Sequence, residues 1–245
     1  PEEVRGKKCY ELVRRDSPCE KCAVGKSLET GRIEQIERYE EDLDIWVDLR
    51  AYPILDAEGK IVQVIEHFQD ITTRKEAEKA LHTRLHYEKG VAATSRTLLS
   101  HEDNAVQTAL EQLLEEIDVS RIYIFENFTE GGKLCIRQTH EVCAPGTNRQ
   151  IDNSELQHLP YDELDPRMEK TLLRGEAYIA HTSSLTGNMR RILEEQDIYT
   201  LLNIPLFVDG DMYGFIGFDD CRQDRTWKEE DVMLLYTVAE LFGSY

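Results

Sequence analysis

Positive charge is what this sequence lacks: 29 Lys and Arg stand against 48 Asp and Glu, a net charge of −19. A surface that negative repels phosphate backbones and anionic lipid heads, so neither nucleic-acid binding nor membrane contact is expected. Long apolar runs are missing too. No stretch approaches the roughly 20 residues that cross a bilayer and no signal-peptide pattern opens the chain, which reads as cytoplasmic. Catalytic signatures are equally scarce: there is no Walker-type glycine loop, no H-E-x-x-H and no G-x-S-x-G. His82 and His86 lack an acidic-polar box and an ATP-binding domain, and read as exposed helix residues. Turnover of a substrate is not expected from these 245 residues. Forty per cent hydrophobic residues, with the charges scattered among them, fill a real core, and the length suits two small domains.

The first third reads as a helix and three strands. Ser17 is placed to cap the helix with Pro18 at its first position, and Thr30-Gly31 supplies the stop. "RIEQIERY" (32–39), "DIWVDLRAYPI" (44–54) and "KIVQVIEHFQDI" (60–71) are rich in β-branched and aromatic residues, the last two joined as a hairpin by "LDAEG". Trp46, Asp48, Arg50 and Tyr52 share one face of the middle strand, and Val47, Leu49 and Ala51 the other. From Thr72 the period changes. Ala77, Leu81, Leu85, Glu88, Ala92, Ser95 and Leu99 form a near-heptad seam on a helix too thinly apolar to bury itself on one small domain, which predicts pairing with a second copy. The remainder is α/β. Helices are expected at 103–118, in "RMEKTLLRGEAYIA" ending at Gly175, in "MRRILEEQDI", and after Thr226 and Glu229, which are spaced as a capping box. "SRIYIFENF" with "LCIRQTHEVC" and "TLLNIPLFVDGDMYGFIGFDD" read as hairpins.

"GKKCYELVRRDSPCEKC…LETG" followed by "WVDLRAYPILDAEGKIVQVIEHFQDITTRKEAEKAL" resembles the C-terminal half of a PAS sensor domain and its exit into a signalling helix. The two strands and helix that open a complete PAS domain have no counterpart here, so a full PAS pocket is not expected. "THEVCAPGTNRQIDN", "LLRGEAYIAHTSSL", "LEEQDIYTLLNIPLFVDGDMYGFIGFDD" and "RTWKEEDVMLL" resemble a GAF domain, with Val142 where the family usually carries Trp. The resemblance implies an α+β chain of two antiparallel-sheet sensor domains: a partial PAS domain (1–72), a helical linker (73–99) and a GAF domain (100–245). It implies the sensory part of a homodimeric signalling protein, in the first place a two-component sensor histidine kinase with its output outside this chain. A diguanylate cyclase, a cysteine-based metal or redox sensor and a ligand-free dimerisation module are the alternatives.

Cys19-x-x-Cys22, on a helix opened by Pro18, would share one face near a dipole that favours thiolate, with Cys9 as a third ligand and no evident fourth. Reduced thiols, a metal site and a redox switch all remain open for it. In the GAF half, strand alternation sends His140 and Val142 one way and Glu141 and Cys143 the other. No Cys-His dipeptide occurs, which argues against the bilin attachment known in that family, and the sequence designates no cofactor. A small-molecule ligand would have Tyr123, Phe125, Tyr178, Ile204, Phe215 and Phe218 as its wall, with His140 and Cys143 nearby; the same residues also serve as plain core.

Overall fold

The computed structural model describes residues 5–12, 16–17, 19–100 and 103–245. The chain divides into two compact units, Pro1–His82 and Thr83–Tyr245.

The first unit holds a short helix α1 (Cys9–Leu12), helix α2 (Ala23–Thr30), strands β1 (Glu34–Glu40), β2 (Ile45–Leu55) and β3 (Ile61–Asp70), and the start of helix α3 (Thr72–Leu99). The strands form one antiparallel sheet in chain order. Alternation along β2 buries Val47, Leu49 and Ala51 beneath Ala23 of α2, as its pattern predicts. The helix start differs from expectation. Pro18 lies outside the described residues, and α2 begins at Ala23 with Cys22 as its cap, the Gly25 N–H donating to Cys22 Sγ at 3.3 Å. Gly31 ends the helix at φ 68°, as its position requires. The acidic run 37–44 is mostly solvated, but Glu40 is buried and paired with Arg38.

Asp70, Ile71 and Thr72 fix where α3 leaves the sheet. The Thr72 N–H donates to Asp70 Oδ1 at 2.9 Å, and Thr72 Oγ1 accepts from the Trp46 N–H at 2.9 Å. The Ile71 N–H donates to the Trp46 carbonyl at 2.8 Å, with the Ile71 side chain buried. Arg74 and Lys75 reach back to the Glu37 carboxylate at 2.6 and 2.7 Å. These amide-to-oxygen bonds occupy N–H groups that the first turn would otherwise leave open.

In the second unit, strands β4 (Arg121–Glu130), β5 (Lys133–Cys143), β6 (Leu159–Pro160), β7 (Tyr178–His181), β8 (Thr200–Val208) and β9 (Asp211–Asp220) form a six-stranded sheet in the order β6-β5-β4-β9-β8-β7. Helices α4 (Ala105–Glu116) and α7 (Glu229–Gly243) and the later turns of α3 pack on one face, around Leu110, Leu113, Ile122, Leu202 and Leu235. Helices α5 (Pro166–Leu173) and α6 (Gly187–Glu195) and the segment between β5 and β7 cover the other. The expected capping box at Thr226 does not form. Trp227 is drawn into the core against Phe218, so α7 starts after it with Lys228 at the cap position and no side-chain cap bond.

Helix α3 carries two stripes. Tyr87, Gly90, Thr94 and Leu98 are buried, and the contact at Gly90 is tight, since a Cβ there would lie 3.0 Å from Leu113 Cδ1. His86 is half-buried rather than exposed, with Nδ1 2.7 Å from Glu116 Oε2. Most of the heptad-like seam stays in solvent: Leu85 and Leu99 are 47 % and 71 % exposed.

Candidate functional site

The sheet of the second unit has a cavity of about 50 Å³ on the face covered by α5 and α6. Strand alternation decides what enters it. Arg121, Tyr123 and Phe125 of β4, Leu201 and Asn203 of β8, and Phe215 and Asp219 of β9 point into it, with Met168, Met189, Ile192 and Leu193 closing the top. Phe125 and Phe215 stack with ring centroids 5.2 Å apart.

The wall expected from the sequence divides between the two faces of the sheet. Tyr123, Phe125 and Phe215 line the cavity. Tyr178 belongs to the core on that side without lining it, its hydroxyl donating to Asp165 Oδ2 at 2.8 Å. Ile204 and Phe218 stand on the opposite face, among the residues beneath α4 and α7, because each is one residue out of phase with the lining positions on its strand. His140 and Cys143 are half-buried outside the lining. Burial lowers the His140 pKa, and burial with the nearby Glu141 carboxylate pushes the Cys143 thiol up to about 11.

The polar end of the cavity escaped the sequence reading. Arg121 is 2 % exposed. Its Nη1 donates to Gln196 Oε1 at 2.7 Å, with Asp219 Oδ2 3.7 Å from the same nitrogen and Glu141 Oε1 3.5 Å from Nε. The Tyr123 hydroxyl donates to Asp219 Oδ1 at 2.8 Å, with the Asn203 amide 3.2 Å away. Enclosure raises the Asp219 carboxyl to about 6 against the pull of Arg121, and holds the Tyr123 phenol well above its ordinary value. Glu141 also fastens the loop after β5, its carboxylate accepting from the backbone N–H groups of Gln150 at 2.8 Å and Ile151 at 3.0 Å. A bulge puts Gln138 beside it. Ile124 pairs with His140 but Phe125 pairs with Gln138, so Thr139 is the extra residue and Gln138 turns to the cavity face. A charged residue in phase with two aromatics along "RIYIF" was the available signal.

The cysteines of the first unit take other positions than predicted. Cys22 caps α2 while Cys19 precedes the helix, so the two share no helical face; Cys19 Sγ accepts from Arg38 Nη2 at 3.0 Å. Burial raises the Cys9 thiol, with Glu66 and Cys22 adding to the effect. Among the described residues, no group of three or more His, Cys, Asp or Glu is arranged to hold a metal ion, and all six cysteines are free of disulfides.

Comparison with known proteins bears on both units. The GAF domain family matches residues 101–244, and the PAS fold matches residues 1–76. The methanogenesis regulatory histidine kinase FilI of Methanothrix harundinacea is 33 % identical over 193 residues, 78 % of this chain and 22 % of that protein. The biofilm dispersion protein BdlA of Pseudomonas aeruginosa is 25 % identical over 100 residues, 40 % of this chain and 24 % of that protein. The chain thus spans about a quarter or less of the length of these curated relatives. Among solved structures, the chromophore-binding domain of the Stigmatella aurantiaca bacteriophytochrome aligns with a TM-score of 0.54 at 12 % identity, covering 99 % of this chain and 79 % of that one. The phycocyanobilin-bound GAF domain of a cyanobacterial phytochrome aligns with a TM-score of 0.52 at 12 % identity, covering 64 % of this chain and 91 % of that one. These two likenesses concern the fold.

Proposed function

The chain belongs to the GAF domain family, with a PAS fold ahead of its GAF domain, and from this sensory signalling architecture we propose the sensory region of a cytoplasmic two-component sensor histidine kinase. It works as a homodimer paired through α3, and relays the occupancy of the GAF cavity along that helix. The kinase itself lies outside the segment; the similarity to a histidine kinase over 78 % of the chain supports that assignment. Free thiols suit a reducing compartment.

The observation that carries the reading is the pair of stripes on α3. One stripe is packed into the core beneath the GAF sheet, so any change in that sheet reaches the helix through Tyr87, Gly90, Thr94 and Leu98. The seam residues Leu85, Ala92 and Leu99 are exposed, and a groove of about 390 Å³ runs beside them between Val91, Ala92 and Ser95 of α3 and Leu234, Thr237 and Leu241 of α7. A second copy offering the same seam would fill that groove isologously. The cavity lies on the other face of the same sheet, and strands β4 and β9 present side chains to both. A ligand that favours one packing of β4 and β9 would shift the helix pair between two arrangements, which is all that a relay requires.

Cross-linking tests this. A cysteine at Ala92 should join two chains under mild oxidation while one at Glu194, exposed on α6, should not, with the wild-type chain as the control for its own thiols. Equal cross-linking at both positions would remove the seam as the dimer contact.

A further inference from the structure

We propose that the polar end of the GAF cavity recognises a small neutral molecule of amide or urea type, which offers a carbonyl oxygen to Arg121 and N–H groups to Asp219 and Gln138. This rests on the reading of the GAF domain as a ligand sensor and specifies what the ligand is. Four buried polar atoms on three strands have no hydrogen-bond partner among the described residues: Arg121 Nε and Nη2, Gln138 Oε1 and Asp219 Oδ2. Their side chains are almost fully enclosed, with residue exposures of 2 %, 3 % and 1 %, and all three line the same cavity. A buried polar group left unmatched is costly, and more so when charged. The occupant must therefore bring both an acceptor for the guanidinium fork and donors for the two oxygens.

Charge selects among such occupants. One buried guanidinium, that of Arg121, faces two carboxylates here, Glu141 and Asp219, and Glu141 is already held by backbone N–H groups and, from outside the cavity, by the exposed Arg149 at 3.8 Å. An anion would add a third negative charge to a water-poor space, and a cation would meet Arg121. A neutral donor–acceptor group satisfies every orphan atom without adding charge. Size narrows the choice further. About 50 Å³, at roughly 10–15 Å³ for each water, holds about three to five waters, the bulk of a small amide. Beyond the polar end the lining is Phe125, Phe215, Met168 and Leu193, which suits a methyl or short alkyl tail.

Three probes of one shape separate the possibilities: acetamide, acetate and acetamidinium, titrated into the full chain. The readouts are the Arg121 Nε–H resonance and the methyl signals of Met168 and Met189. Acetamide should shift these signals saturably, with the two charged isosteres at least about tenfold weaker. Gln138→Leu should weaken acetamide binding by about tenfold without changing the circular dichroism spectrum or broadening the urea transition. Acetate binding as well as acetamide would overturn the neutral-ligand assignment while leaving a ligand sensor. Saturable shifts from none of the three would mean that water alone fills the cavity, and would remove both this proposal and ligand sensing there. The dimer through α3 is judged separately by the cross-link at Ala92.

Discussion

Asp219→Asn should change how the stability of the GAF domain depends on pH, and the direction follows from burial. The Asp219 carboxyl is 1 % exposed, accepts from the Tyr123 hydroxyl and lies 3.7 Å from Arg121 Nη1. Desolvation outweighs the guanidinium, so the group titrates near 6 in the fold against an ordinary 3.8. That difference of about two pH units corresponds to about 3 kcal/mol. The native state holds its proton more tightly than the unfolded chain, so this stabilisation is complete below 3.8, declines as pH rises, and is lost above 6. Linkage places about 2 kcal/mol of the loss between about pH 4.5 and 7.5. Asparagine cannot ionise. Whatever constant penalty its amide meets beside Arg121, the variant should gain about 2 kcal/mol on the wild type across that interval. Urea unfolding followed by tryptophan fluorescence at a series of pH values measures it. Parallel curves, with a difference constant to about 0.5 kcal/mol, would show that Arg121 neutralises the burial and refute the argument.

Three further outcomes are expected. Gly217→Ala places a Cβ about 2.0 Å from a ring carbon of Tyr123, in a side chain pinned to Asp219, and should lower the urea-derived stability by about 3 kcal/mol. Phe215→Ala removes a ring that is fully buried and stacked on Phe125, which should cost about 3–5 kcal/mol on the same assay. Thr72→Val leaves the Trp46 N–H without the hydroxyl that accepts it, a loss of about 1–3 kcal/mol, read as faster hydrogen exchange of the Trp46 amide.

Most of the element order was legible: the near-heptad spacing across 72–99 marks a helix, though not which stripe of it is buried, and the alternation of "WVDLRAY" marks a half-buried strand. The helix starts were less so. A proline and a serine together signalled a cap at 17–18, yet Cys22 closes the first turn of α2, and a capping-box spacing at 226–229 lost to the burial of Trp227. The cavity was half legible. Apolar residues on β8 and β9 are continuous, so sequence gives no parity, and Ile204 and Phe218 were assigned to the wrong face. The bulge at Thr139, which turns Gln138 inward, has no local signature, and the phase of Arg121 with Tyr123 and Phe125 reads as burial only once the partners that β4 acquires in the sheet are known.

The relay requires that α3 meet a second α3, and sedimentation equilibrium tests that requirement directly. The wild-type chain, 28.4 kDa as a monomer, should sediment as a dimer at micromolar concentration. Leu85→Lys with Leu99→Lys, both exposed in the single chain and so harmless to its fold, should sediment as a folded monomer. A monomeric wild type, or a double variant that dimerises as tightly as the wild type, would contradict the account.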